Sequence, residues 1–107
     1  MKAGEVWIVE IPELNSHEQN GTRPAVVIAS VAKTIVTIIP FTSNKTALRF
    51  PYTCEVEKTK SNGLFIDSIA LVFHMRALDT DFLKKKIGEL DTKIMTKIRK
   101  QARQLIG

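Results

Sequence analysis

The stretch RPAVVIASVAKTIVTIIPF, residues 23–41, contains two apolar, β-branched runs separated by a short connection. Such runs predict two neighbouring strands of a hairpin, 23–30 and 34–41. The first predicted strand opens with Arg23, which is followed by Pro24. Because proline disfavours the helical region for the residue before it, we expect an extended backbone at Arg23. The pattern therefore places a permanent cation at the mouth of a buried strand.

Further strands are predicted on both sides of this hairpin. Residues 4–11, GEVWIVEI, are β-branched and aromatic, which suits a strand buried on both faces. Residues 52–57 alternate as a half-exposed strand does, and residues 67–79, DSIALVFHMRALD, predict one long extended segment or two strands separated by a bend. Residues 12–22, PELNSHEQNGT, form a polar loop whose length is typical of functional or mobile connections.

A helical period is found only near the C-terminus. Asp79 or Thr80 can cap a helix over residues 81–87, which Gly88 can close. Asp91 can cap a second helix over residues 92–106. The apolar positions that recur there at helical spacing are Ile94, Ile98, Ala102 and Leu105. These elements predict a mainly β fold with a C-terminal helix, in which a small barrel or curled sheet packs against the helix.

Length and composition limit the classes of protein that the chain can represent. With 107 residues, 44% of them hydrophobic and 25% charged, it fits one globular domain spanning residues 1–107. No apolar run approaches the roughly 18 residues that span a bilayer, and the N-terminus lacks a secretory pattern, so we expect a cytoplasmic protein without membrane contact. One cysteine and two histidines exclude an intrachain disulfide and predict no metal site.

The positive charge of the chain is unevenly distributed. Residues 1–79 contain eight Lys or Arg and eight Asp or Glu, whereas residues 80–107 contain eight and three. The excess therefore lies in the C-terminal quarter, where lysines such as those of the run 84–86 are typical of a solvated face. Charge by itself does not establish nucleic acid as a partner.

Several segments together resemble the MazF/PemK family of toxin ribonucleases, over nearly the whole chain. They are, in order, GEVWIVEI at 4–11, SHEQNGTRP at 16–24, PFTSN at 40–44, DSIALVFHMRALD at 67–79 and KKKIGELD at 84–91. Each is weak alone, but their order and separations match the family.

The resemblance implies a homodimer of SH3-like barrels that cuts single-stranded RNA without a metal ion or other cofactor. It also implies a cognate antitoxin as partner, with DNA reached only indirectly through that antitoxin. Arg23 and Thr42 match the catalytic pair of the family. Glu18 and Gln19 match an RNA-binding loop.

Three more positions are candidate RNA contacts, namely Ser43, His74 and Arg76. Ser43 stands beside Thr42, and Arg76 matches a basic residue of the family. His74 alternates with Arg76 in the predicted extended segment, so both side chains are expected on one side of it, where they can contact phosphate or base edges. The alternative for His74 is a structural histidine that is hydrogen-bonded within the fold.

Metal-independent cleavage uses the RNA 2′-hydroxyl as nucleophile, so the site must stabilise a phosphorane and move protons. The planar guanidinium of Arg23 matches phosphate oxygens, and the hydroxyl of Thr42 can orient the nucleophile or donate to phosphate. The alternatives are an Arg23 that pairs with an acid such as Glu18 and a Thr42 that bonds its own backbone. Neither residue is a good general base; His17 is a possible acid or base, and the alternative for it is a solvated loop histidine.

Phe73 and His74 depart from the family, whose members commonly carry an acid and a glutamine there. Phe73 can pack in the core, stack on a base or fill a dimer seam, with the core favoured. These departures leave open a non-catalytic or decayed nucleic-acid-binding barrel. A gyrase poison of the same fold is disfavoured, because those relatives need a tryptophan just before the C-terminus and the only tryptophan here is Trp7.

Overall fold

Seven strands and one α-helix make up the described part of the chain, which in the computed structural model comprises residues 1–11 and 21–107. In chain order the elements are β1 (Glu5–Glu10), β2 (Thr22–Ala32), β3 (Ile35–Thr42), β4 (Thr53–Val56), β5 (Ser68–Leu71), β6 (Arg76–Asp79), β7 (Leu83–Glu89) and α1 (Thr92–Ile106). Short 3₁₀ helices lie at Lys45–Arg49, Val72–His74 and Thr80–Phe82. The predicted site residues His17, Glu18 and Gln19 lie outside the described residues.

The predicted hairpin is confirmed and forms the centre of the sheet. β2 and β3 pair antiparallel from Ala25 opposite Pro40 to Ala32 opposite Ile35. Around them the strands follow the order β4-β5-β3-β2-β1-β7, and β6 also pairs with β3. The run 67–79 is two strands separated by a bend, the second of the two predicted forms.

β3 pairs with two different strands along the same edge, and this makes the sheet curl. Its first half, from Ile35 to Ile38, pairs with β6, whereas Phe41 and Thr42 pair with β5. β6 then leads through the 3₁₀ helix Thr80–Phe82 into β7, at the opposite end of the sheet path. The described strands therefore form a curled, barrel-like sheet in which β6 and β7 do not pair. The predicted mainly β fold with a C-terminal helix is confirmed.

Over residues 25–27 and 38–41 both faces of the central hairpin are buried because the side chains alternate between two cores, whereas residues 29–35 around its turn are exposed. Val26 and Ile39 belong to a core that the helix covers, and Val27 and Ile38 belong to a core inside the curled sheet. The first core also contains Phe41, Val56, Val72, Leu90, Met95, Ile98 and Ala102. The second also contains Val9, Ile11, Val36, Leu78 and Leu83.

The helix predicted over residues 81–87 is wrong, since this segment belongs largely to strand β7. Asp79 does cap a turn, with its carboxylate accepting the Asp81 N–H at 2.8 Å, but that turn is a 3₁₀ helix of three residues. The chain then becomes extended at Leu83, which is buried opposite Val9 of β1. Pairing with the edge of β1 therefore prevails over the local helical pattern.

The C-terminal helix α1 is confirmed, together with its cap. The Asp91 carboxylate accepts the Ile94 N–H at 2.8 Å. Ile98 and Ala102 are buried as predicted, but the buried residue of the first turn is Met95, and Leu105 is 37% exposed. No helix among the described residues is long and apolar enough to cross a membrane.

Candidate active site

A cleft of about 280 Å³ opens where β2 begins and β3 ends. Its lining comes from three segments, 22–24, 41–43 and 64–66, together with Ser68. Arg23 and Thr42, the predicted catalytic pair, therefore border the same cleft. Ser43, a predicted RNA contact, borders it too and is exposed.

Two prolines explain why the cleft opens at this place. Proline has no N–H to donate, so it is tolerated where a ladder of strand hydrogen bonds ends. The last pair of the β2–β3 ladder is Ala25 opposite Pro40, and Pro24, the residue before Ala25, lies beyond that pair. Beyond this point Arg23 pairs with β1, whereas Thr42 pairs with β5. The strand ends thus separate towards different partners, with the two predicted catalytic residues flanking the gap.

The Thr42 hydroxyl has a local role as well as a place in the cleft. Its Oγ1 accepts the Asn44 N–H at 3.2 Å, which is the backbone bond expected of an ordinary loop threonine. A hydroxyl has two acceptor sites and one donor proton. The bond to Asn44 therefore orients Thr42 and leaves its proton to be donated to a ligand.

The segment that carries His17, Glu18 and Gln19 starts and ends next to the cleft. The Ile11 N–H donates to the Gly21 carbonyl at 3.1 Å, and Gly21 adopts a left-handed φ of 63° that glycine allows without strain. β2 begins immediately afterwards, in the cleft lining. The roles of these three residues stay predictions.

The wall at 64–66 is the part of the cleft that the sequence did not indicate. The turn before it is organised by Asn62, which is 3% exposed. Its Oδ1 accepts the N–H groups of Thr59 and Leu64, both at 3.0 Å, and its Nδ2 donates to the Glu57 carbonyl at 2.9 Å. The composition of KTKSNG, residues 58–63, predicts this turn, but nothing local indicates that the turn supports a cleft.

The outer part of this wall is apolar. Phe65 is 82% exposed and Ile66 is 56% exposed. The cleft thus has the guanidinium of Arg23 and the hydroxyls of Thr42 and Ser43 in one part of its lining and an apolar rim in another. Such a combination suits a ligand that has both charged and flat apolar parts.

His74 and Arg76 do not line the cleft. Arg76 pairs with Ile38, four residues along β3 from Thr42, which corresponds to about 13 Å of strand. His74 ends the 3₁₀ helix before β6, so the prediction that both residues lie in one extended segment is wrong. The favoured burial of Phe73 in the core is also wrong, since its side chain is 36% exposed. The 3₁₀ helix turns Phe73 outwards while Val72 takes the core position.

The clearest electrostatic network lies outside the cleft, between β1 and β7. Burial raises the pKa of the Glu5 carboxyl, but hydrogen bonds from the Trp7 indole, the Lys2 backbone and Lys86 outweigh burial and hold this pKa below its usual value. The Trp7 Nε1–H donates to Glu5 at 2.9 Å, and Lys86 lies 3.4 Å from the same carboxylate. Burial raises the pKa of the Cys54 thiol. Among the described residues, no three His, Cys, Asp or Glu side chains form a group that could hold a metal ion.

The curled antiparallel sheet and the helix across one of its faces define a class of small, barrel-like β folds with a C-terminal helix. An endoribonuclease solved in complex with its cognate antitoxin, from a mycobacterial species, has the same fold with a TM-score of 0.78. It is 15% identical, and the match covers 100% of this chain and 95% of the other.

The model of the PemK-like, MazF-like toxins of type II toxin–antitoxin systems matches residues 2–106, and the chain belongs to this family. It is 29% identical over 99 residues to endoribonuclease MazF9 of Mycobacterium tuberculosis, covering 84% of this chain and 82% of the relative. It is also 29% identical over 103 residues to endoribonuclease MazF of Staphylococcus saprophyticus, covering 92% and 84%.

Proposed function

We propose that this protein is an endoribonuclease toxin that cleaves single-stranded RNA at short sequences by attack of the 2′-hydroxyl, without a metal ion. The observation that carries the proposal is the position of Arg23 and Thr42 in one cleft at the end of the β2–β3 ladder. Family membership and relatives named endoribonucleases support it.

In this reaction the 2′-oxygen attacks the adjacent phosphorus while the bond from phosphorus to the 5′-oxygen breaks. The products are a 2′,3′-cyclic phosphate and a 5′-hydroxyl, whose oxygen takes up a proton, from water or from the protonated base, as its bond to phosphorus breaks. Negative charge grows on the non-bridging oxygens, where the guanidinium of Arg23 donates two parallel hydrogen bonds. The Thr42 hydroxyl, oriented by Asn44, donates to a phosphate oxygen.

Proton transfer requires a group other than this pair. An arginine side chain keeps its proton and a threonine hydroxyl is a weak base, so neither removes the 2′-proton efficiently. We assign this role to His17, because an unperturbed histidine titrates near neutrality and the segment carrying it begins and ends beside the cleft. Glu18, Gln19 and Ser43 would contact the RNA around the scissile phosphate.

The proposal includes partners as well as chemistry. A cognate antitoxin is expected to bind the toxin, as in the solved mycobacterial complex. We further propose a homodimer, a cytoplasmic location and contact with DNA only through the antitoxin. The exposed cations of α1 then serve as a solvated or antitoxin-facing surface, because no aromatic side chain accompanies them.

The test is cleavage of a long single-stranded RNA in excess chelator, with the new ends mapped. Arg23→Ala should lower the rate about 10²- to 10³-fold, the effect of losing a charge-stabilising donor. Arg103→Ala, which removes the same charge from the exposed side of α1, is the matched control and should cut normally. Thr42→Val should be impaired, and Thr42→Ser should retain activity because it keeps the hydroxyl.

Intact RNA after incubation with folded wild-type protein would refute the proposal. The protein would then be better described as a barrel that binds RNA or a partner without cleaving it. Equal loss of activity in the Arg23 and Arg103 variants would also contradict the assigned role of the cleft.

A further inference from the structure

We infer that Arg49, Phe50, Phe73 and His74 form a stacking site for a base of the RNA, a few nucleotides away from the scissile phosphate. These four residues are called the aromatic platform below. The inference rests on the proposed function, since it concerns how the same substrate is held. It concerns a surface outside the cleft, beyond the far end of β5.

The platform is a continuous row of ring and guanidinium groups on the surface. The Phe50 and Phe73 rings meet edge to face, with centroids 5.9 Å apart. The His74 ring lies 4.6 Å from the Phe73 ring, and the Arg49 guanidinium carbon lies 4.9 Å from the centre of the Phe50 ring. Phe50 is 46% exposed and Phe73 is 36% exposed, so both rings are accessible to a ligand.

Backbone hydrogen bonds and a buried neighbouring side chain fix the position of Phe73 in the platform. Val72 is fully buried and the Met75 N–H donates to its carbonyl at 3.1 Å, which fixes the 3₁₀ helix that presents Phe73. On the other side, the Tyr52 carbonyl accepts the Phe73 N–H at 3.3 Å. Tyr52 has a φ of 60°, the one positive value found at a described residue other than glycine. Such strain is costly and is kept where the surroundings demand a particular turn, here the turn that sets Phe50 against Phe73.

Two routes along the chain connect the platform to the cleft and give similar separations. β5 starts at Ser68, in the cleft lining, and its four residues lead to the 3₁₀ helix of Phe73, a span of about 13 Å. The 3₁₀ helix Lys45–Arg49 begins two residues after Ser43 and is followed directly by Phe50, and its five residues span about 10 Å. An extended single strand anchored in the cleft reaches the platform within a few nucleotides.

The chemistry of the platform favours an RNA base over a protein side chain. Every base has a flat π face that stacks on an aromatic ring regardless of sequence. Arg49 adds a cation that can lie over a base or meet the neighbouring phosphate, and none of the four residues is acidic. An apolar protein partner would leave the Arg49 charge without a complement. The site therefore matches single-stranded nucleic acid.

The experiment measures the affinity of the full-length protein for a short RNA that contains the mapped cut site with a 2′-deoxy nucleotide at the cut, which prevents cleavage. Phe73→Ala should weaken binding about 5- to 150-fold. Phe73→Tyr keeps the ring and should bind the RNA with an affinity within about twofold of wild type. The control is Ile106→Ala, which truncates an exposed apolar side chain far along the chain, on α1, and should also bind within about twofold. Circular dichroism and thermal unfolding of each variant show that it is folded.

Replacement of single bases by abasic sites separates stacking from general attraction. One abasic position should weaken binding to wild type by a similar factor but have no further effect on Phe73→Ala, because the base and the ring act together. If the Phe73→Ala variant binds the RNA as tightly as wild type does, the inference is wrong. This holds even if the substitution alters antitoxin binding or dimerisation. The proposed function would then stand, provided that wild type cuts RNA. If wild type neither binds nor cuts RNA, both fail.

Discussion

Replacement of Asn62 by alanine should cost about 3 kcal/mol of unfolding free energy. The side chain makes three hydrogen bonds, to the Glu57 carbonyl and to the N–H groups of Thr59 and Leu64. Each buried hydrogen bond contributes about 1 kcal/mol net, and more where the remaining partner stays buried, as the Leu64 N–H does. Because this turn supports the cleft wall at 64–66, the variant should also cut RNA more slowly under conditions in which it remains folded.

The assay is urea unfolding followed by the fluorescence of Trp7, the only tryptophan. A loss of 3 kcal/mol corresponds to a fall in the midpoint of about 1–3 M urea. The control is Asn44→Ala, which also removes an asparagine that accepts two hydrogen bonds, both from Thr46, but at an exposed site. That variant should lose less than about 1 kcal/mol, since water replaces the bonds. A cost below about 1 kcal/mol for Asn62→Ala, or equal costs for the two variants, would refute the assignment of Asn62 as the organiser of this turn.

Three further predictions concern pH, thiol reactivity and backbone contact. The folded protein holds the Glu5 pKa below its usual value, so this carboxylate stabilises the fold above roughly pH 4, and that contribution is lost as the pH falls through the folded-state pKa. Glu5→Gln should thus be less stable than wild type in urea at about pH 7, and the difference should shrink as the pH falls below about 4; a constant difference would contradict this. Cys54 is 7% exposed and burial raises the pKa of its thiol, so a disulfide reagent should label it far more slowly in the folded protein than in urea, and equal rates would contradict its burial. A Cβ on Gly88 would overlap the backbone of residues 61 and 62, so Gly88→Ala should lower the free energy of unfolding by more than about 3 kcal/mol. A Cβ on Gly21 meets open space but the backbone there has a positive φ, so Gly21→Ala should lower the free energy of unfolding by about 1–2 kcal/mol. Thermal unfolding measures both. Similar losses for the two glycine variants would count against the close approach at Gly88.

The elements that the sequence predicts well are those determined by short-range patterns. The β2–β3 hairpin follows from two β-branched runs, and α1 follows from the Asp91 cap and the helical spacing of apolar residues. β7 is different, because three consecutive lysines at 84–86 show no alternation of apolar and polar side chains. That strand forms because β1 has an edge to pair with, and this long-range contact is invisible in the local sequence.

The same distinction applies to the candidate site. Arg23 and Thr42 were found through the resemblance to a family, and Pro24 explains in physical terms why the arginine lies at the strand mouth. The cleft wall at 64–66 depends on how β5 aligns with the end of β3, which no local pattern encodes. Likewise, the 3₁₀ helix at Val72–His74, in which Phe73 is exposed, interrupts an apolar run that reads locally as a continuous buried strand.

The central claim is that the Arg23–Thr42 cleft promotes attack by the RNA 2′-hydroxyl. The most direct measurement compares, by mass spectrometry, the products from an RNA containing the mapped cut site and from the same RNA with a single 2′-deoxy nucleotide at the cut. We expect 2′,3′-cyclic phosphate and 5′-hydroxyl ends from the first RNA and no cleavage of the second. Cleavage of the 2′-deoxy RNA at the same bond, or products with 5′-phosphate ends, would show that another nucleophile acts and would contradict the account.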